Sequence, residues 1–314
     1  MRLVAQPAVE GAAPAVADGA WLVGVARAVE AAGFDALAFE DHPAPPRRWI
    51  ENGGHQAFDP FLAITYCAAV TQRIRLMPLL VVAPYRNPVL LAKSIATADV
   101  LSDGRLTVCA GVGYLRGEFA ALGADFDERN ARFDEAIDVV RRIWADDAFT
   151  YHGATFAAAD VVSKPQPVQR PHPPIWIGGN STLARERVAR YGDGWAPLQT
   201  TAATSRMART AGIDDDAALR RGIEDVRRLA EAAGRDPDAI DVAVTCLPER
   251  PSLAGLEPER DLDRLGTLAD LGVTWCVVPM PVDGRVDIPA FVARYGDEVI
   301  RRLPAGLQHS STID

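Results

Sequence analysis

Residues 74–113 read IRLMPLLVVAPYRNPVLLAKSIATADVLSDGRLTVCAGVG. The ends of this stretch, Ile74 to Val82 and Leu106 to Ala110, are short apolar runs of the length expected for buried strands. Between them Val89 to Leu101 is long enough for a helix, which Ser102-Asp103-Gly104 breaks. Gly111-Val112-Gly113 closes the second run. A strand, a crossover helix and a strand require parallel pairing. Pro78 interrupts the first strand; it has no N–H for the ladder, so a bulge or distortion is predicted there.

The same alternation extends both ways. Upstream, Leu3 to Ala5 reads as a strand. Leu22, Val25, Ala26, Val29 and Ala32 recur at helical spacing up to Gly33, and Ala36 to Phe39 is a strand closed by Glu40-Asp41-His42. Pro60 to Val70 reads as helix, and Phe133, Ile137, Val140 and Ile143 mark another. Residues 149–173 break the rhythm with polar alternation and a Pro-rich loop, and are read as an insertion. The rhythm resumes with strand Ile175 to Ile177, helix Leu183 to Tyr191 and strand Gly194 to Ala196. Helix 215–233, strand Val242 to Cys246, helix 261–270, strand Val273 to Val278 and helix 288–300 complete it. About eight βα units result, the number that closes a barrel. The expected fold is α/β, a (β/α)8 TIM barrel with an insertion around residues 149–173, as one domain over 1–314. An open doubly wound sheet is the alternative, and the unit count favours the barrel.

The 314 residues carry a formal charge of -9, which argues against nucleic acid and against an anionic membrane surface. No cationic-then-apolar leader is visible at the N-terminus, and no run approaches the roughly 20 apolar residues of a membrane span. Cys67, Cys109, Cys246 and Cys276 lie far apart and form no CxxC pair, so small buried thiols in a reducing compartment are expected, hence a cytoplasmic protein.

In a barrel the functional groups gather where strands end. Past the second strand, His42 is placed to exchange a proton near neutral pH, with Asp41 to orient it or bind a cofactor hydroxyl; the bland reading is a mixed-charge surface loop. Leu79-Leu80 follows the distorted Pro78, where backbone can approach a flat ring; an irregular apolar strand is the bland reading. Gly111-Val112-Gly113 lets amides approach a ligand. With Gly117 it also fits a loose dinucleotide pattern, but no prompt second strand follows. Ile175-Trp176-Ile177-Gly178-Gly179-Asn180-Ser181 gives a strand, a glycine pair and then Asn and Ser as helix caps, which favours a phosphate cradle over a plain turn. His55, His152, His172 and His309 show no metal-ligand spacing, so no metal site is expected. No nucleophile elbow or Walker loop is present. Trp49, Trp195 and Tyr85 lie near strand ends and read as core or rim packing.

These strand ends resemble the luciferase-like monooxygenase superfamily, and more narrowly its branch that uses coenzyme F420, a 5-deazaflavin. Gly33-Phe34-Asp35 into Glu40-Asp41-His42, Pro84-Tyr85-Arg86-Asn87-Pro88, Ala98-Asp99-Val100-Leu101-Ser102-Asp103-Gly104-Arg105, Gly111-Val112-Gly113 and Pro173-Pro174-Ile175-Trp176-Ile177-Gly178-Gly179-Asn180-Ser181 carry the likeness. It spans residues 30–198 in order; beyond 200 only the strand–helix rhythm agrees. The resemblance implies that His42 handles protons beside the ring with Asp41 as its neighbour at the cofactor. It also implies a non-prolyl cis peptide at Leu79-Leu80 against the ring, a lining loop at Gly111-Val112-Gly113, and a backbone grip on the phosphate at Gly178-Gly179-Asn180. Tyr114 stands where the F420-dependent sugar-phosphate dehydrogenases of the superfamily carry an acidic glutamate, so a sugar phosphate is not the expected substrate.

The implied function is hydride transfer between F420 and a small organic substrate, with His42 as proton donor or acceptor and Tyr114 assisting. The alternatives are an FMN-dependent monooxygenase fed by a separate reductase, and a non-catalytic flavin-binding protein. The resemblance also implies a homodimer.

Overall fold

The computed structural model describes residues 1–7, 18–145, 147–199, 205, 210–245, 256–281 and 287–307. The expected strand end at Cys246, and His309, lie outside them. Strands β1 (Arg2–Gln6), β2 (Ala36–Phe39), β3 (Arg75–Pro78), β4 (Val81–Val82), β5 (Val108–Gly111), β8 (Ile175–Gly178), β9 (Gly194–Ala196), β10 (Asp241–Thr245) and β11 (Trp275–Pro279) form one parallel sheet. Its order is β3-β2-β1-β11-β10-β9-β8-β5-β4. The sheet begins and ends on β3 and β4, which are the two halves of the single strand read from Ile74 to Val82. The distortion forecast at Pro78 is where that strand divides: β3 pairs with β2, β4 with β5. A bridge between Leu76 of β3 and Leu106, just before β5, nearly closes the sheet into a barrel of eight staves, as the rhythm predicted.

Helices form where the sequence signals them. Asp59 and Asn87 each precede a proline and accept hydrogen bonds from first-turn amides of α3 (Pro60–Ala68) and α4 (Pro88–Leu101). The Ser102-Asp103-Gly104 break is held by Arg105, whose guanidinium donates to Ser102 O, Ala68 O, Thr71 O, Ile74 O and Thr71 Oγ1. Between strands lie α1 (Gly19–Ala32), α2 (Arg47–Glu51), α5 (Arg116–Ala121), α6 (Arg129–Ile143), α7 (Thr182–Tyr191), α8 (Asp216–Ala232), α9 (Pro258–Asp270) and α10 (Ile288–Glu298). The insertion is an antiparallel hairpin, β6 (Phe149–His152) and β7 (Ala157–Val161), followed by the Pro-rich loop. Asp99, fully buried, accepts from Val168 N, Gln169 N and Gln169 Nε2 and ties that loop to α4.

Side chains of Val4, Ala38, Met77, Cys109 and Ala243 fill the barrel, and Trp176 meets Trp275 edge-on at 5.3 Å. Both indoles are buried, and truncating either costs ~3–5 kcal/mol. Trp176 explains Gly194, where a Cβ would come within 2.4 Å of the indole. The interior is therefore a packed plug, and space for a ligand opens above it.

Candidate active site

A cavity of about 570 Å³ occupies the C-terminal mouth, within the usual size for a small-molecule site. Every sequence-derived site residue lines it: Asp41, His42, Leu79, Leu80, Gly111, Val112, Gly113, Tyr114, Gly178, Gly179 and Asn180.

His42 leaves the end of β2 with its side chain 11% exposed. Its Nδ1 lies 3.4 Å from Oε2 of Glu118 on α5. The Glu118 carboxylate is buried and also accepts from Tyr85 OH at 2.8 Å and Ala44 N at 3.3 Å. Burial works against a charged imidazole here. The Glu118 hydrogen bond and the carboxylates of Glu40, Glu118 and Asp41 outweigh it and raise the His42 pKa above the ordinary histidine value. Sequence reading passed over Glu118, which follows the glycine loop by a few residues and looks like a solvated helix charge. Tyr85, read as rim packing, is the residue that fixes it.

Asp41 is engaged elsewhere. Its carboxylate accepts from Val82 N at 2.9 Å and takes both terminal nitrogens of Arg86. It thereby anchors the restart of the divided strand. Leu79 N donates to Phe39 O and Gln6 Nε2 to Leu79 O, and the Leu79-Leu80 peptide is cis. The Leu80 side chain lies across two strand ends: a Cβ on Gly178 would meet it at 2.4 Å, and one on Gly111 at 2.8 Å. Glycine at both ends is what admits this apolar wall.

Tyr114 stands edge-on to His42 with ring centroids 6.2 Å apart. Burial, then the charges of Glu40 and Glu118, push its phenol pKa up, so it stays a proton-bearing donor. The indole of Trp49 packs on His42 at 4.7 Å. His55 lies 5.4 Å from His42 between ring centroids, and its Nε2 meets the Glu40 carboxylate. The sequence offered no sign of this, because twelve residues without periodicity separate the two histidines.

At the opposite wall the glycine pair leads into α7. Gly179 N donates to Ala196 O, and Trp195 Nε1 donates to Gly179 O at 2.9 Å. Asn180 does not cap the helix, as the sequence had suggested. Its Nδ2 donates to Leu198 O and Ala211 O, its Oδ1 accepts from Leu198 N, and its backbone N–H points at Thr210 Oγ1. Ser181 is the cap, accepting from Ala184 N at 3.1 Å. Ser181 and Ala184 both line the cavity, so the first turn of α7 faces it. The amides of Thr182 and Leu183 precede the intrahelical ladder and have no partner within the helix. Backbone N–H groups at such a helix start are the kind that can bind an anion.

Among the described residues, no helix is long and apolar enough to cross a membrane. Residues 3–248 match the family model for luciferase-like monooxygenases. An FMNH(2)-dependent dimethylsulfone monooxygenase from Pseudomonas putida is 32% identical over 192 residues, covering 55% of this chain and 53% of that protein, about half its length. An F420-dependent glucose-6-phosphate dehydrogenase from Beutenbergia cavernae is 29% identical over 319 residues, 88% of this chain and 91% of the relative. In fold, an EDTA monooxygenase from Chelativorans sp. BNC1 superposes with a TM-score of 0.76 at 18% identity, over 99% of this chain and 96% of the other. The family match takes in seven of the eight staves and both walls of the cavity, and the chain belongs to the luciferase-like monooxygenase family.

Proposed function

We propose that this protein is an F420-dependent oxidoreductase that moves a hydride between the deazaflavin and a small organic substrate. The observation that carries the reading is His42, held at the cavity wall by a buried carboxylate and charged to a higher pH than an ordinary histidine. The residues present suit the cofactor. Leu80 supplies an apolar wall for a flat ring, and the first turn of α7 supplies amides for a phosphate. Bound F420 supplies the hydride chemistry; the protein supplies position and a proton.

With Nδ1 on Glu118, the Nε2 edge of His42 is left for the substrate. The protonated ring donates to the substrate atom that gains charge as hydride arrives, and the neutral ring accepts in the reverse direction. Glu118 keeps the imidazole oriented, and Asp41 acts through Val82 N and Arg86 by fixing the wall. Glu40 and Glu118 at the substrate end disfavour an anion, in keeping with the expectation from Tyr114 that the substrate is not a sugar phosphate. Near-complete coverage of the F420-dependent relative supports the cofactor choice.

The second reading is a monooxygenase that takes reduced FMN from a separate reductase, favoured by the 32% identity to the dimethylsulfone enzyme. Titrating the purified protein with F420 and with FMN separates the two. Micromolar binding of F420 is expected, and binding of neither overturns both. Oxygen uptake with reduced FMN selects the second. The proposal extends to a cytoplasmic homodimer, for which exposed Leu62 on α3 and Leu90 on α4 offer apolar surface; sedimentation analysis tests the dimer.

A further inference from the structure

The two carboxylates beside His42 differ in access to water. The Glu118 side chain is 1% exposed and shares its oxygens among three protein donors. The Glu40 side chain is 28% exposed, while its partner His55 is 8% exposed. One ring nitrogen of His42, one of His55 and one Glu40 oxygen all lie within 4.8 Å of one another, a gap that a single water spans. Trp49 packs against both imidazoles, at 4.7 Å and 5.3 Å, and fixes their approach.

We infer that Glu40, held in place by His55, is a second acid–base group that returns protons to His42 from solvent. The inference rests on the proposed role of His42. In the reductive direction the substrate gains a hydride from the reduced cofactor and a proton from His42, and the imidazole is left neutral. Substrate and cofactor then fill the mouth that His42 faces, and Glu118 is sealed. Glu40 remains as the group within one water of His42 that also reaches solvent. It passes a proton inward and takes one from solvent, so the cycle balances at one hydride and one proton per turnover. His55 is a positioning residue that holds Glu40 in place.

The groups facing His42 are Glu40 and Asp41 from its own strand end, Glu118 from α5, Tyr114 from the loop before α5, and His55 beyond α2. Tyr85 and Arg86 act through Glu118 and Asp41. The test needs no substrate. The full chain, labelled with 15N-histidine, is titrated by NMR as wild type, Glu40→Gln, Glu40→Asp and His55→Gln. The exchange of the His42 ring proton with water is measured in each. In Glu40→Gln the exchange slows about tenfold to a hundredfold, and the His42 midpoint falls by about one unit. Glu40→Asp restores part of both. In His55→Gln the exchange slows although Glu40 is retained. An unchanged exchange rate and midpoint in Glu40→Gln overturn the inference. So does loss of the wild-type coupling on adding EDTA, because a metal ion would then join the three groups. Failure of F420 to bind instead strikes the proposed function and leaves these NMR readings intact.

Discussion

At one wall of the cavity, His42, Glu118, Glu40 and His55 present ionisable side chains. At the other, Gly179 and the first turn of α7 present backbone, and Asn180 turns its side chain away to hold residues 198 and 211. Charge at the first wall depends on a few atoms that can be replaced while the fold is kept. Shape at the second depends on the absence of Cβ atoms and on loops that must stay where they are. Substitutions at the first wall should therefore change rate and pH dependence, and substitutions at the second should change stability and affinity.

The largest expected effect is at His42. His42→Ala removes a positioned acid, and the rate of reduced-F420 oxidation by a carbonyl panel should fall by about 10²–10³. F420 affinity should stay within about threefold of wild type, since no anion donor is lost. A drop in affinity with an unchanged rate would break the division between the walls. Next is Asn180→Ala. Leu198 N, Leu198 O and Ala211 O lose their partners, and Asn180 itself is fully buried. Chemical denaturation should show a loss of about 3 kcal/mol.

Glu118→Gln is the sharper probe of the first wall. The His42 pKa is raised, so the acid form persists to higher pH and the reductive rate falls as pH climbs through that value. Removing the Glu118 hydrogen bond and charge moves this limb toward lower pH. Above it the rate drops about tenfold for each unit moved. A limb that stays in place would show that Glu118 only orients the ring.

The legible parts of the molecule are those set by local rules. Apolar runs of helical length marked α3 and α4, Pro78 announced a distortion where the strand divides, and a histidine past β2 had to reach the mouth of the barrel. What escaped was set by distant segments meeting. Glu118 becomes part of the site because α5 brings it against Ala44 and Tyr85. Asp41 is saturated because Arg86, 45 residues on, folds back to it. Asn180 and Ser181 are both competent caps. Ser181 takes the helix because Leu198 and Ala211 claim Asn180. Periodicity carries no information on such meetings.

Gly178→Ala tests the second wall more gently. The new Cβ would sit 2.4 Å from Leu80 Cδ2, the far end of a flexible side chain, so Leu80 can shift into the cavity. The cost to stability should be about 1–2 kcal/mol. F420 affinity should fall several-fold, by about 1 kcal/mol, as the wall bulges toward the ring. Unchanged affinity would mean that the ring does not rest on Leu80.

Tyr114→Phe should have the smallest effect and says most about how the first wall is divided. The Tyr114 phenol is held protonated by burial and by the nearby carboxylates, so it can donate a hydrogen bond at any working pH. Its ring meets His42 by an edge, whereas His42 is held by the Glu118 carboxylate. Loss of the hydroxyl therefore removes one neutral donor, about 0.5–1 kcal/mol, or a two- to fivefold fall in rate. The pH limb set by His42 should not move, because a neutral phenol contributes no charge to the imidazole. A fall beyond about a hundredfold would instead make Tyr114 the proton donor. His42 would then be the group that tunes it, and the position that departs from the sugar-phosphate dehydrogenases would carry the acid after all.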